Sequence, residues 1–210
     1  MAKKLYIGFV LDETGSMISV KQQTIAGFNE CIENLKKDKA NVEVLFTLAK
    51  FNSEKYELVY SNVALDFVGK LTDQNYRPDA YTPLYDAIAK TINSYGNVEG
   101  KKKQHVLLII QTDGLENASK EYNQKTVFDM IKEKKDKGWS FMFLGADQDA
   151  FIASERIGIS RGSTMSYNSA DTQQTIGRGV AMAAAFYTQT GGKQTEDIVV
   201  ESQTKKGDEE

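Results

Sequence analysis

Apolar residues along this chain fall into two patterns. Residues 5–11, 105–110 and 139–144 are nearly continuous apolar runs. Runs of that length without polar alternation predict strands covered on both faces, as in a parallel sheet. Residues 42–51 begin with alternation at Val42-Glu43-Val44 and predict a further strand. Residues 56–60, after the tight Asn52-Ser53-Glu54 connection, predict a short antiparallel edge strand, and 164–167 a last short one. Between them the spacing changes to helical. Ile18, Ile25, Phe28, Ile32 and Leu35 form one apolar stripe, bordered by Cys31. Leu84, Ile88, Ile92 and Tyr95 mark a second helix, with Pro83 suited to its first position. Val127, Met130 and Ile131 mark a third. A fourth follows Gly145-Ala-Asp-Gln-Asp and runs to Ile157, where Gly158 can end it. Residues 171–190 predict a final Ala-rich helix, which Gly177 and Gly179 would weaken unless close packing requires them. Residues 63–71 carry no decisive pattern.

The resulting order is strand-helix-strand-strand-helix-strand-helix-strand-helix-strand-helix. It predicts an α/β fold: a doubly wound, mostly parallel central sheet with helices on both faces and one antiparallel edge strand. Residues 1–190 form one predicted domain. Gly191-Gly192 precedes a polar tail, 191–210, whose one apolar patch is Ile198-Val199-Val200; the tail is expected to be either a disordered end or an arm that packs on a neighbour.

That architecture gives meaning to the polar residues at the ends of the apolar runs. Asp12, Thr14 and Ser16 follow the first strand, Thr82 precedes the second helix, and Asp113 follows the 105–110 strand. In an open parallel sheet such positions converge at one edge, where ligands bind. Two carboxylates and three hydroxyls make an all-oxygen donor set suited to a hard cation such as Mg²⁺. Each piece alone has a plainer reading. Asp-x-Thr-x-Ser and Thr82-Pro83 cap helices, and Thr112-Asp113-Gly114 makes a turn. Their conjunction, in order, favours the metal reading.

Here the chain resembles the von Willebrand factor A (vWA) domains that carry a metal-ion-dependent adhesion site. The family pattern is Asp-x-Ser-x-Ser after the first strand, a Thr in a middle loop, and an Asp after the fourth strand. This chain has Asp12-Glu-Thr14-Gly-Ser16-Met17, Thr82-Pro-Leu-Tyr-Asp-Ala-Ile and Thr-Asp113-Gly, with Thr14 in place of the first Ser. The resemblance spans about residues 4–190. The Phe-Leu-Gly-Ala-Asp-Gln-Asp-Ala segment resembles compact, stand-alone members from bacteria and their phages. The resemblance implies a divalent-metal-dependent protein-binding module and not an enzyme. Thr14, Ser16 and Thr82 would offer hydroxyl oxygens to Mg²⁺ (or Mn²⁺ or Ca²⁺), and Asp12 and Asp113 would coordinate directly or through water. An Asp or Glu carboxylate of a partner protein would fill the open position.

Two other functions remain open. Asp12 could be the nucleophile of a Mg²⁺-dependent phosphoryl-transfer enzyme, but Thr14 stands where such enzymes want a second acid. The chain could instead be a scaffold or oligomerisation protein with a structural or vestigial metal site. No phosphate-binding G-x-x-x-x-G-K-[ST] loop is present. A formal net charge of −3 and a pI of about 5.4 argue against a broad nucleic-acid footprint, and Lys101–Lys103 and the lysines of 132–137 read as solvated surface. The lone Cys31 precludes an intrachain disulfide and reads as core; His105, the single histidine, reads as structural, and Met17 and Met182 as core. Lys3-Lys4 with the apolar run faintly mimics a signal peptide, but Asp12 ends it early. No segment reaches transmembrane length, and a cytoplasmic location is expected. Around the site, Asp147 and Asp149 are candidates for the rim or for capping, and Tyr81, Glu116 and Asn117 for the binding rim. Asp86 is expected to complement its helix dipole.

Overall fold

The structure is a computed structural model that describes residues 3–37, 42–96, 98, 104–146, 149–167 and 173. The predicted 171–190 helix (apart from Gln173), the 191–210 tail, Asp147, Met182 and Lys101–Lys103 lie outside the described residues.

Among the described residues six strands form one sheet. They are β1 (Lys3–Asp12), β2 (Val42–Phe51), β3 (Tyr56–Ala64), β4 (Gln104–Thr112), β5 (Trp139–Ala146) and β6 (Thr164–Tyr167), in the order β3-β2-β1-β4-β5-β6. Every neighbouring pair is parallel except β2 with β3. The α-helices bounded within the described residues are α1 (Lys21–Lys37), α2 (Leu84–Ser94), α3 (Gln124–Asp136) and α4 (Asp149–Arg156). The apolar runs of β1, β4 and β5 are buried because both faces of the sheet are covered. Leu5, Ile7, Phe9 and Leu11 pack with Phe28, Cys31, Ile32 and Leu35 of α1. Val10, Leu108, Ile110, Phe141 and Phe143 pack on the other face with apolar residues of α2, α3 and α4. Gly8 lets Tyr95 approach β1, since a Cβ there would lie 2.4 Å from the tyrosine oxygen. No helix among the described residues is long and apolar enough to cross a membrane.

The sequence-based boundaries differ from the structure in instructive ways. Ile18 fits the periodicity of α1 but sits in a preceding 3₁₀ turn, Gly15–Val20, and is 64% exposed. The edge strand runs on past residue 60 to Ala64, followed by a 3₁₀ turn at Leu65–Phe67 whose flanks Leu65 and Val68 enter the core. Pro83 is the N-cap of α2, one place before the first helical residue.

The chain leaves β1 toward β2 on one side, while β4 pairs with β1 on the other. The C-terminal ends of β1 and β4 therefore meet where the winding reverses, the place in such sheets where ligands bind.

Candidate metal centre

Asp12 ends β1, and the register pairs Leu11 with Gln111, so Thr112 of β4 lies beside Asp12. The Asp12 carboxylate is fully buried. Its Oδ1 accepts from the Thr14 N–H (2.7 Å) and its Oδ2 from the Thr112 hydroxyl (2.6 Å). Burial raises its pKa from 3.8 to about 6; the hydrogen bonds from Thr112 and Thr14 oppose the shift, and the neighbouring Asp113 charge adds to it.

The three hydroxyls converge. Thr14 Oγ1 lies 3.1 Å from Ser16 Oγ, and the Thr82 hydroxyl donates to Thr14 Oγ1 at 3.1 Å. Thr14 and Thr82 are buried, whereas Ser16 is exposed at the mouth. Asp113 closes the group from β4. Burial raises its pKa, against a hydrogen bond from Ser16, and its Oδ1 is buried with no hydrogen-bond partner. Gly114 keeps the space clear, since a Cβ there would sit 2.9 Å from both Ser16 Oγ and Thr82 Oγ1. The predicted donors are thus linked by neighbour contacts, Thr82 to Thr14, Thr14 to Ser16 and to Asp12, and Ser16 to Asp113. Among the described residues no three His, Cys, Asp or Glu side chains cluster as metal ligands. The donor set instead relies on neutral hydroxyls with two carboxylates, a chemistry that fits a hard, oxygen-seeking cation. The orphaned Asp113 oxygen and the side-chain-free cradle at Gly114 fit such an ion as well.

Thr82 is delivered by the segment between β3 and α2, which is fastened to the first loop along its length. The buried Tyr76 hydroxyl donates to the Asp12 carbonyl (2.6 Å), Arg77 N–H to Glu13 Oε1 (2.6 Å), and Asp79 N–H to the Glu13 carbonyl (3.0 Å). Gly15 N–H then reaches the carbonyl of Ala80 (3.0 Å), a non-glycine residue held at φ +65°. That conformation costs about 1 kcal/mol, and these contacts hold it. The Glu13 carboxylate is also buried and faces Lys55 (3.2 Å) and Lys50 (3.5 Å). Sequence reasoning passed over Glu13 because it occupies an unconstrained position of the motif.

The candidate rim residues divide. Tyr81 is 69% exposed. Asn117 is exposed but clamps Thr82, accepting its N–H at Oδ1 (2.8 Å) while donating its own N–H to the Thr82 carbonyl (3.0 Å). Glu116 is not free for a ligand, because it accepts from the N–H groups of Tyr85, Ala118 and Ser119 and from the Ser119 hydroxyl. Asp149 is exposed and is itself the first residue of α4. Asp86 does more than complement a dipole: buried, it accepts from the N–H groups of Lys120, Glu121 and Tyr122 at 2.8–3.0 Å. Asp86→Ala should orphan those donors and lower stability by about 3 kcal/mol, read as a lower urea midpoint at unchanged slope. Of the remaining residues, Cys31 is buried and its thiol pKa is pushed far up, so it is inert core, and Met17 is buried core as well. His105 is half-buried within β4, and among the lysines of 132–137, Lys134 lies over the Trp139 ring and Lys137, which follows α3, pairs with Glu133.

No protein-family model matches the sequence, and no curated protein is significantly similar to it. Solved structures do match its fold. The chain is similar to the von Willebrand factor domain of the type V pili tip protein Mfa5 from Porphyromonas gingivalis, with 10% identity, 93% of this chain and 98% of that one covered, and a TM-score of 0.68. It is similar to the manganese-loaded TRAP protein of Plasmodium vivax, with 13% identity, 86% and 75% covered, and a TM-score of 0.54. It is also similar to the SpRpn10 VWA domain, with 11% identity, 87% and 95% covered, and a TM-score of 0.51. At such identities the likeness establishes the vWA-type α/β fold.

Proposed function

We propose that the chain is a divalent-metal-dependent protein-binding module in which Asp12, Thr14, Ser16, Thr82 and Asp113 hold Mg²⁺ or a similar hard cation. One observation carries the reading: hydroxyls from the first loop and from the Thr82 segment lie within 3.1 Å of one another beside Asp12 and Asp113, and Asp113 Oδ1 is buried with no hydrogen-bond partner. A manganese-loaded neighbour and a pilus-tip neighbour of the same fold support it. Bound there, the cation would supply Lewis-acid attraction for an acidic side chain of a partner protein. The chain's own residues do the positioning. Thr112 and the Thr14 N–H fix the Asp12 carboxylate, Asn117 fixes Thr82, and Gly114 leaves the approach open.

The phosphoryl-transfer alternative is disfavoured by Asp12 itself. Its carboxylate has no exposed surface for a phosphate ester to reach, and Thr14 stands where a second acid is wanted.

Calorimetric titration with Mg²⁺ and Mn²⁺, alone and with acetate as a stand-in for the partner's carboxylate, tests the reading. The expected result is one site in the wild type, lost in Asp113→Ala while the melting profile in EDTA stays that of a folded protein. A folded wild type that takes up neither ion, with or without acetate, would overturn it.

A further inference from the structure

Four large apolar side chains among the described residues are more than half exposed: Ile18, Phe67, Tyr81 and Leu115, at 64, 78, 69 and 57%. Three of them belong to the candidate metal centre. Ile18 lies two residues after Ser16, Tyr81 one before Thr82, and Leu115 two after Asp113. Contacts join these loops, Gly15 to Ala80 and Asn117 to Thr82, so the three exposed side chains, the collar, are carried by adjoining loops. A cation flanked by loops that expose apolar side chains favours an acid that carries an apolar neighbour.

The fourth exposed side chain has that chemistry. Phe67 adjoins Asp66, also exposed, in the Leu65–Phe67 turn. Among the described residues Asp66 is the one exposed acid that adjoins a large exposed apolar side chain while its carboxylate is free of hydrogen bonds and ion pairs. Glu57 and Asp129, beside Leu58 and Phe128, are paired with lysines. The turn is also rigid. Leu65 and Val68 on either side are buried, Val68 N–H bonds the Leu65 carbonyl (3.1 Å), and Lys36 Nζ holds the Val68 carbonyl (3.0 Å). Asp66 and Phe67 therefore form a two-residue knob, ordered before any binding, which lowers the entropy lost on docking.

The knob cannot reach the collar of its own chain. Ala64 pairs with Leu45, and Leu45 with Tyr6, six residues before Asp12 on β1. At roughly 3.3 Å per residue the two features are about 20 Å apart, at opposite ends of the sheet.

We infer that a second copy of this chain is an occupant of the site: Asp66 of one molecule completes the metal coordination of the next while its Phe67 packs against Ile18, Tyr81 and Leu115. The inference rests on the metal reading above. Such a contact is head-to-tail, since knob and collar are different surfaces, so it propagates into chains or rings. It is small, and so weak and concentration-dependent.

Sedimentation velocity over a range of protein concentrations, in Mg²⁺ or EDTA, tests it. The wild type should assemble in Mg²⁺ and revert to monomer in EDTA. Asp66→Asn should abolish assembly, and Phe67→Ser should weaken it about ten-fold. The decisive experiment mixes Asp66→Asn, which keeps the collar, with Asp113→Ala, which keeps the knob. Each alone should be monomeric, and together they should give a 1:1 complex and nothing longer. A wild type that binds Mg²⁺ by calorimetry yet stays monomeric would overturn self-docking and leave the metal reading standing. So would assembly indifferent to EDTA or to Asp66→Asn. A wild type that binds no metal would overturn both.

Discussion

Asp12→Asn is expected to give a protein that takes up Mg²⁺ far more weakly and yet, in EDTA at pH 7, is more stable than the wild type. The two effects have one cause. Burial lifts the Asp12 pKa to about 6 from a reference of 3.8. A carboxyl whose folded pKa lies above its unfolded value favours folding while it is protonated. That contribution is complete below pH 4 and is lost as pH rises through about 6. At pH 7 the metal-free wild type therefore carries a buried charge, a difference of about 3 kcal/mol. Asparagine removes the charge, keeps an oxygen for the Thr14 N–H, and presents an amide to the Thr112 oxygen. Urea midpoints in EDTA should converge for the two proteins near pH 4 and separate in favour of the variant by pH 7. Mg²⁺ affinity should fall by roughly 100-fold or more in the variant, and in the wild type it should weaken as pH drops through about 6. A variant less stable than the wild type at pH 7 in EDTA would show that Thr112 and Thr14 satisfy the carboxylate fully.

This opposition between stability and metal uptake explains which parts of the site were legible in the sequence. Asp12 and Asp113 end apolar runs, and the runs identify β1 and β4 because a strand covered on both faces must be apolar throughout. Once those strands are neighbours, the two carboxylates must meet. Thr82 is readable from its place before the second helix, but nothing in residues 68–83 announces the path that brings it there. Their course is set by long-range bonds that each use a backbone group: the Tyr76 hydroxyl to the Asp12 carbonyl, the Arg77 N–H to the Glu13 carboxylate, and the Gly15 N–H to the carbonyl of Ala80, which holds a left-handed conformation that alanine seldom adopts. Such partners leave no periodicity. Ile18 misled for the opposite reason. It fits the stripe of α1, but the chain enters that helix through a 3₁₀ turn of different pitch, which turns the side chain outward. The same deviation makes it part of the collar. Asp86 and Glu116 look like ordinary surface acids in sequence, whereas in the fold they organise the 116–122 loop through its N–H groups.

Glu13 is where the fastening of the site concentrates, and Glu13→Ala should cost about 3–5 kcal/mol. Its carboxylate is 1% exposed and accepts the Arg77 N–H at 2.6 Å, with Lys55 at 3.2 Å and Lys50 at 3.5 Å. Truncation leaves Lys50, itself 5% exposed, with the half-exposed Glu57 as its remaining carboxylate and the Asn75 carbonyl as a neutral acceptor. It also removes the acceptor for the Arg77 N–H, in the segment that delivers Thr82. Two consequences follow from two different bonds, and a second substitution separates them. Lys50→Met on the Glu13→Ala background removes a buried charge left with only the half-exposed Glu57 as its carboxylate, because an apolar side chain of similar length suits the same space. The double variant should recover much of the lost stability in urea titrations. It should not recover Mg²⁺ affinity, because the Arg77 N–H still lacks its acceptor and Thr82 is still poorly held. If affinity returned together with stability, the loop would owe its position to the charge balance around Lys50, and the Arg77 hydrogen bond would be incidental.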